Sequence, residues 1–350
     1  MPIHDQPIVH VKTAFPAFHT TPMPVVRDPS QLHVVVAITN SCRYSTRYHL
    51  FEKFEKMVLD SGARLWVAEA AFGHRPHAVT SSTNPQHIQL RTSSEIWHKE
   101  NLLNLAIQRL PSDWEYVAWI DPDIAFARPD WVNETINQLQ HFDVVQMFSQ
   151  THDLNDKFDV IRTYTGFLHC YCNGEMSNSV DPKNLTLTDY FQGTRALSTK
   201  QRPYYAHPGY AWAARRRAID DLGGLIDWAI LGSADYYMAN ALVGRAASTV
   251  VKVSSPAFRD LVLEWEKRAE KYIRRNVGVV PGAILHFWHG RKKDRRYQDR
   301  NAILLDNGFD PHIDLKKDSQ GLWQLTDRSI GLRDGIRGYF RSRNEDSITE

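Results

Sequence analysis

Apolar residues in this chain fall into short unbroken runs separated by longer stretches with helical spacing. Leu32 to Ile38 is a β-branched run ending in Thr39-Asn40-Ser41, which predicts a buried strand with polar groups at its tip. From Tyr48 to Leu59 the period changes, and Leu50, Phe51, Phe54, Met57 and Val58 share one face of a helix. Arg64 to Ala68 reads as a second strand, ending at Glu69. The next helix, Trp97 to Leu110, turns Leu102, Leu103, Ala106, Ile107 and Leu110 toward the core and sets Trp97, Asn101 and Asn104 on another face. A strand from Tyr116 to Ile120, a helix from Trp131 to about Leu139 and a strand from Val144 to Phe148 follow. The order β-α-β-α-β-α-β predicts an α/β fold with a mainly parallel sheet flanked by helices.

Beyond this the texture changes. Ser149 to about Pro203 is polar and aromatic with little period, including Thr163 to Cys172 and Asp181 to Asp189, and is expected to be a substrate-facing excursion. A helix is predicted over Tyr210 to Leu222, stopped by Gly223-Gly224. Ser233 reads as the N-cap of a helix over Tyr236 to Leu242. Ser255-Pro256 opens another, whose apolar side is Phe258, Leu261, Val262, Trp265 and Tyr272. The expected organisation is an N-terminal arm over residues 1–30, one main domain over 31–293 with halves 31–148 and 149–293, and a charged C-terminal extension over 294–350.

Composition narrows the function classes. With 350 residues, 42% of them hydrophobic, the chain can bury a large core. A formal charge of +2 is far from the strong basic excess of a dedicated nucleic-acid binder, so any such contact must come from local patches. Three cysteines, Cys42, Cys170 and Cys172, make no disulfide framework and suit a reducing compartment. Cys170-x-Cys172 lacks the second Cys/His pair of a structural zinc site. No run approaches the ~18 apolar residues of a membrane span, and the N-terminus lacks the apolar core of a signal peptide. The expectation is a cytosolic protein without a membrane partner; its oligomeric state is not legible.

Four clusters could carry chemistry. Asp121-Pro122-Asp123 follows the apolar run Tyr116 to Ile120, and carboxylates at such a strand end point into the crevice where open α/β sheets bind ligands. Two acids separated by one residue can share a hard divalent cation, though a strand-end turn with solvated acids has the same spacing. In Trp97-His98-Lys99-Glu100-Asn101 with Asn104, a lysine and two asparagines could hold ribose or phosphate, or form a solvated helix face. His207-Pro208-Gly209-Tyr210-Ala211-Trp212 is followed by Gly232-Ser233-Ala234-Asp235. There the helix dipole favours an ionised Asp235, able to accept a proton from an attacking hydroxyl or simply to stabilise the helix. In Ile284 to Lys293, His286 closes an apolar strand and could add a nitrogen ligand; His289 and Lys292 are candidates for contact with substrate, Lys292 or Lys293 at a leaving phosphate.

Together these residues, over about 32–293, resemble glycosyltransferases of the GT-A fold: an apolar strand ending in D-x-D, an upstream helix with Lys and Asn, a glycine-aromatic acceptor loop, an acid at a helix start and a late histidine. The resemblance implies a Rossmann-like GT-A catalytic domain. It implies that Asp121, Asp123 and His286 bind Mn²⁺ or Mg²⁺ on the diphosphate of a nucleotide sugar, such as a UDP-sugar. It further implies that Thr39 and Asn40 cradle the nucleotide, that Glu69 holds the base or ribose, and that Gly209 and Trp212 belong to the acceptor loop. His286-Phe287 with Gly290 and Lys292 is similar to the H-F-x-G-x-x-K ending of glycogenin-type enzymes, with one extra residue before the glycine and without the Pro-Trp. The segments Trp97 to Asn101, Ala118 to Asp123, His207 to Arg215, His286 to Gly290 and Tyr339 to Asp346 resemble a largely phage-encoded GT-A group. Some of its relatives are proposed to glycosylate hydroxymethylated pyrimidines in DNA, which implies a double-stranded DNA acceptor in a host cytoplasm.

Asp235 is the expected base of an inverting transfer. A glycogenin-like mechanism would instead retain configuration and leave Asp235 to orient the sugar. The basic clusters Lys267-Arg268, Lys271, Arg274-Arg275 and Arg291 to Arg300 would serve a DNA acceptor if they share a face near the metal, or be a solvated helix and tail offset by Glu264, Glu266, Glu270 and Asp294. A polysaccharide, lipid or protein acceptor, a nucleotidyltransferase, and a non-catalytic carbohydrate- or DNA-binding protein are the alternatives.

Overall fold

The computed structural model describes residues 26–174, 206–250, 255–297, 299–326 and 328–348. Most of the expected N-terminal arm and the Asp181 to Asp189 stretch lie outside them.

Two sheets build the molecule. The larger has seven strands: β1 Leu32–Thr39, β2 Arg64–Phe72, β3 His87–Thr92, β4 Tyr116–Ile120, β6 Val144–Gln146, β10 Ala211–Arg215 and β11 Val277–Val279. Their spatial order is β11-β6-β10-β4-β1-β2-β3. All neighbours run parallel except β10, which is antiparallel to both β4 and β6. The second sheet has order β5-β12-β7-β8-β9, from Ile124–Phe126 (β5), Gln150–Leu154 (β7), Val160–Gly166 (β8), Ala206–His207 (β9) and Ala283–His286 (β12). A hairpin, β13 Leu315–Lys317 and β14 Trp323–Leu325, lies in the C-terminal region.

The central strands are covered on both faces, which is why their sequences are continuous apolar runs. Val34, Val36, Ala118, Ile120, Ala211 and Ala213 face a core with Phe51, Phe54 and Val58 of α1 (Ser45–Asp60) and Val132, Ile136 and Leu139 of α3 (Trp131–Leu139). Val35, Val117, Trp119, Trp212 and Ala214 face the opposite core. That core also takes Leu102, Leu103 and Ala106 of α2 (Lys99–Ile107), Ala218 and Ile219 of α5 (Arg216–Leu222), Tyr237 and Met238 of α6 (Ala234–Leu242) and Phe258, Val262 and Trp265 of α7 (Pro256–Arg268). This is the mixed α/β architecture the alternation predicts.

Several local expectations change. The helix expected over Tyr210 to Leu222 is two elements, β10 and α5. Ala211, Trp212, Ala213 and Ala214 are all buried between two strands, and a short all-apolar run has no period that separates strand from helix. Its stop is as expected: Gly223 adopts φ +72°, a left-handed C-cap. Ser255 caps α7 by accepting the Phe258 N–H at 3.3 Å. Ser233 does not cap α6, because it stands at φ +71° and its hydroxyl accepts from Arg300 instead. The unpredicted β3 lies at the sheet edge with alternating burial, and the excursion after Ser149 begins as the hairpin β7–β8 and a short helix, α4 (Phe167–Cys172). On α4, Cys170 is buried and Cys172 exposed, both as free thiols.

Residues past 293 pack back on the domain. The helix α8 (Ile330–Ser342), capped by Ser329, buries Leu332, Ile336 and Tyr339 in the main core. Among the described residues, no helix is long and apolar enough to cross a membrane.

Candidate active site

A cavity of about 540 Å³ opens at the carboxyl ends of β1 and β4, within the usual range for small-molecule sites. Strand register assembles its densest cluster. β12 pairs with β5 on one side and β7 on the other, so His286 lies opposite Ile124, just after Asp123, and opposite Asp153. The Phe287 N–H then donates to the Asp123 carbonyl at 2.8 Å.

In that cluster the His286 imidazole donates from Nδ1 to Asp153 Oδ1 at 2.8 Å, while Lys292 donates to Asp153 Oδ2. Asp153 is only 2% exposed, and its carboxyl is held well below the usual range: burial raises it, but His286 and Lys292 outweigh burial. With Nδ1 so engaged, His286 turns its Nε2 toward His289 Nε2, 3.1 Å away, and toward Asp123 Oδ2, 3.9 Å away. His289 Nε2 is itself 3.0 Å from Asp123 Oδ2 and 2.8 Å from Arg295 Nη2. Burial, helped by Arg295 and opposed by Asp123, lowers the His289 pKa to about 4, so its ring is neutral near pH 7.

Donor atoms of Asp123, His286 and His289 lie within 4.8 Å of one another, and Asp123 Oδ1 is buried with no hydrogen-bond partner. An orphaned carboxylate oxygen beside two imidazole nitrogens is a donor set that fits a divalent cation. The Asp153–His286 contact is the outer-shell arrangement that fixes a ligating imidazole. The structure brings Asp123 and His286, both read as cation ligands from the sequence, together with His289, which also lines the cavity, and leaves Asp121 outside the cluster. Asp121 forms an ion pair with Lys99 at the start of α2. Burial raises the Asp121 pKa, opposed by the Lys99 charge and reinforced by Asp123.

The facing wall carries Asp235, one residue into α6. Its Oδ1 accepts the Tyr236 N–H at 2.9 Å. Gly209 packs against it so closely that a Cβ there would sit 2.6 Å from Asp235 Oδ2, the physical reason for glycine at this point. Thr39, Trp97, Lys99, Gly209 and Lys292, read from the sequence as substrate contacts, all line the cavity.

Other expected contacts are structural. Glu69 points into the loop after β2 and accepts from Val79 N at 3.1 Å and Thr80 N at 2.9 Å, with Ala78 N and the Thr80 hydroxyl completing its shell. Asn101 holds the β13–β14 hairpin, donating to the Gly321 carbonyl and accepting from Trp323 N at 2.9 Å. Asn104 clamps Leu225 through both of its backbone polar groups. Asn40 closes the turn into α1 by bonding both backbone groups of Tyr44. Trp212 is buried in the sheet, its indole N–H donating to the Pro208 carbonyl at 2.8 Å. All five are polar or amphipathic residues near strand or helix ends, where sequence does not separate backbone capping from ligand binding.

Asp153 carries no local signal in the sequence, and Tyr210 and a group of arginines take places that their motifs did not specify. Arg295 and Arg300 come from the basic run expected to be a tail or a nucleic-acid contact; they are 6% and 3% exposed and line the cavity, each with a buried Nε lacking a partner. Arg300 and Arg343 both donate to the Tyr339 hydroxyl, at 2.9 and 2.8 Å. Between them they lower this phenol to about 8 against the opposing effect of burial. Glu345, fully buried, binds Arg47 and Arg343, and Asp346 accepts from Ser45 N and Thr46 N at the start of α1. Gly290 at φ +88° lets this C-terminal segment approach, since a Cβ there would lie 2.8 Å from the Asn344 carbonyl. Arg268, from the other basic cluster, caps the Leu222 carbonyl at 2.8 Å.

No family model matches the sequence, and no curated protein matches it either. Solved structures that align with the chain at low identity include the catalytic domain of a Drosophila β1,4-galactosyltransferase 7 in complex with xylobiose, at 10% identity and a TM-score of 0.29 over 59% of this chain. A putative nucleotide-diphospho-sugar transferase from Desulfovibrio desulfuricans aligns at 12% identity and 0.32, covering 91% of this chain and all of that one. The S. aureus TarS structure in complex with UDP-GlcNAc aligns at 10% identity and 0.39 over 78% of this chain. The chain spans 58% of the galactosyltransferase domain's length and 66% of the TarS chain's.

Proposed function

We propose that this cavity is the active site of a metal-dependent glycosyltransferase of GT-A type, which moves a sugar from a nucleotide-sugar donor to a hydroxyl acceptor. The observation that carries the reading is the convergence of Asp123, with its orphaned Oδ1, on His286 and His289 inside a cavity that also holds Asp235. These three residues would hold Mn²⁺ or Mg²⁺, whose charge, when bound, favours departure of a diphosphate.

The chain's own residues do the rest. Lys292, Arg295 and Arg300 add fixed positive charge where the leaving group gathers negative charge. Lys99 holds Asp121 at the strand end. Asp235 takes the proton of the acceptor hydroxyl as its oxygen bonds to the anomeric carbon and the bond from that carbon to the donor phosphate oxygen breaks. The sugar configuration inverts and a nucleoside diphosphate leaves.

For the acceptor we favour a 5-hydroxymethylpyrimidine in DNA, within a host cytoplasm, with a UDP-sugar as donor. Lys293, Arg296 and Arg162 on the cavity lining support an anionic polymer there. The test is mass spectrometry of candidate acceptors, hydroxymethylated DNA first, after incubation with a panel of nucleotide sugars and Mn²⁺. Transfer that stops in Asp123→Ala and falls steeply with salt is expected. Transfer to neutral glycans that ignores salt would remove the DNA acceptor, and full transfer by Asp123→Ala would remove the metal site. NMR of the product's anomeric proton reports inversion; retention would leave Asp235 to orient the sugar.

A further inference from the structure

One residue ties the acceptor-side turn to the cation cluster. We propose that Tyr210 is a positioning residue for His286, so that divalent-cation affinity depends on the Tyr210 hydroxyl. The inference rests on the cation reading of Asp123, His286 and His289.

Tyr210 adopts φ +78°, a conformation that strains an aromatic residue and that glycine would take freely. Such strain persists only where the surroundings hold the residue on several sides, and here they do. Its carbonyl accepts the Asp121 N–H at 2.8 Å. Its ring lies flat on His207, with centroids 4.0 Å apart and planes 5° from parallel, and 4.6 Å from the His286 ring on its other contact. The hydroxyl donates to Asp153 Oδ1 at 3.2 Å, the same oxygen that accepts His286 Nδ1–H at 2.8 Å.

A single carboxylate oxygen therefore receives two donors, one from the imidazole and one from the phenol. Lys292 serves the other oxygen. The hydroxyl thereby fixes the direction in which Asp153 presents its acceptor to His286, and that direction fixes where His286 Nε2 points. The ring contact limits rotation of the same imidazole. Glycine at 210 would relieve the backbone but remove both constraints, which accounts for a strained tyrosine where a relaxed glycine would fit.

The test uses the full chain and Mn²⁺ alone. Mn²⁺ affinity is read from the EPR signal of the free ion during titration, and coordination from nitrogen couplings in pulsed EPR of the bound ion. Tyr210→Phe keeps the ring and removes the hydroxyl. It should weaken Mn²⁺ binding roughly tenfold, as outer-shell changes do, and alter the imidazole nitrogen coupling while far-UV circular dichroism and the urea midpoint stay unchanged. In an Asp153→Ala background, which removes the shared acceptor, the same change should add nothing. If His286→Ala abolishes binding but Tyr210→Phe leaves affinity and couplings intact, the positioning role is wrong and the cation site stands. If His286→Ala binds Mn²⁺ normally, the cation reading falls and this inference with it. Should Tyr210→Phe fail to fold, Asp153→Ala, which removes the oxygen that both donors share, carries the test from the other end of the contact, and unchanged affinity there overturns the proposal equally.

Discussion

The cavity holds half-buried carboxylates on two walls in opposite ways. On the wall made by β4 and α2, Asp121 is closed by an ion pair with Lys99. On the wall made by β12, Asp123 meets two imidazoles and the Arg295 guanidinium nearby, and keeps one oxygen without a partner. These acids are separated by one residue, yet one is already satisfied by a fixed lysine and the other is incomplete. A half-buried acid with its own lysine stabilises the frame. One that lacks a partner marks a place for something that arrives from outside. Sequence spacing alone cannot make that distinction.

The sharpest way to break the contrast is to replace each acid in turn. Asp123→Ala should lower transfer by roughly a hundredfold to a thousandfold, the scale of losing a charge-stabilising element, and weaken Mn²⁺ binding, with a small change in urea unfolding. Asp121→Asn should do the reverse in kind. It leaves Lys99 without its counter-ion, and breaking a largely buried pair costs about 3 kcal/mol, read as a lower urea midpoint at unchanged m-value. Equal losses of Mn²⁺ affinity in both variants would erase the distinction and restore Asp121 as a ligand.

How much of this was legible follows from the kinds of interaction involved. The alternation of buried strands and amphipathic helices is written locally, so β1, α1, β4 and α3 could be read residue by residue. His286 closes β12 and Asp121-Pro122-Asp123 follows β4, so both places were open to a ligand reading from local sequence. Asp153 was not, because only the register of β12 against β7 brings it opposite His286. Glu69 and Asn101 looked like ligand contacts because a carboxylate or amide at an element end has the same local sequence whether it binds substrate or a loop amide. Arg295 and Arg300 read as solvated tail for a related reason: their burial depends on α8 and the C-terminal Glu345 packing back over the site.

Asp235 lines the same cavity from the start of α6, and its placement can be tested without touching a charge. Gly209→Ala would put a methyl 2.6 Å from Asp235 Oδ2, so the carboxylate must move. A shift of about 1 Å at a reacting group can cost on the order of a hundredfold in rate, here expected in kcat with Mn²⁺ affinity retained. A rise in KM at constant kcat would mean that the turn binds acceptor and Asp235 does not act in the reaction step.

The smallest predicted effect bears on why the lysine wall carries a second acid. Glu100 is 4% exposed, lines the cavity and follows Lys99 directly. Burial raises its pKa to about 7, opposed by Lys99 and reinforced by Asp235. The sign is that of an acid whose folded value lies above its unfolded one. The folded state bears no penalty below about pH 4.5, and stability declines as pH rises from there through about 7, where the native carboxyl gives up a proton it holds more tightly than the unfolded chain does. Glu100→Gln should therefore raise stability at pH 8 by on the order of 2 kcal/mol, with no gain at pH 4, in urea melts at the two values. A residue that costs stability and faces a cavity is a candidate for contact with what the cavity holds. If transfer falls in the stabilised variant, Glu100 contacts substrate, and the lysine wall is not closed after all; if transfer is unchanged, Glu100 only tunes the Lys99–Asp121 pair.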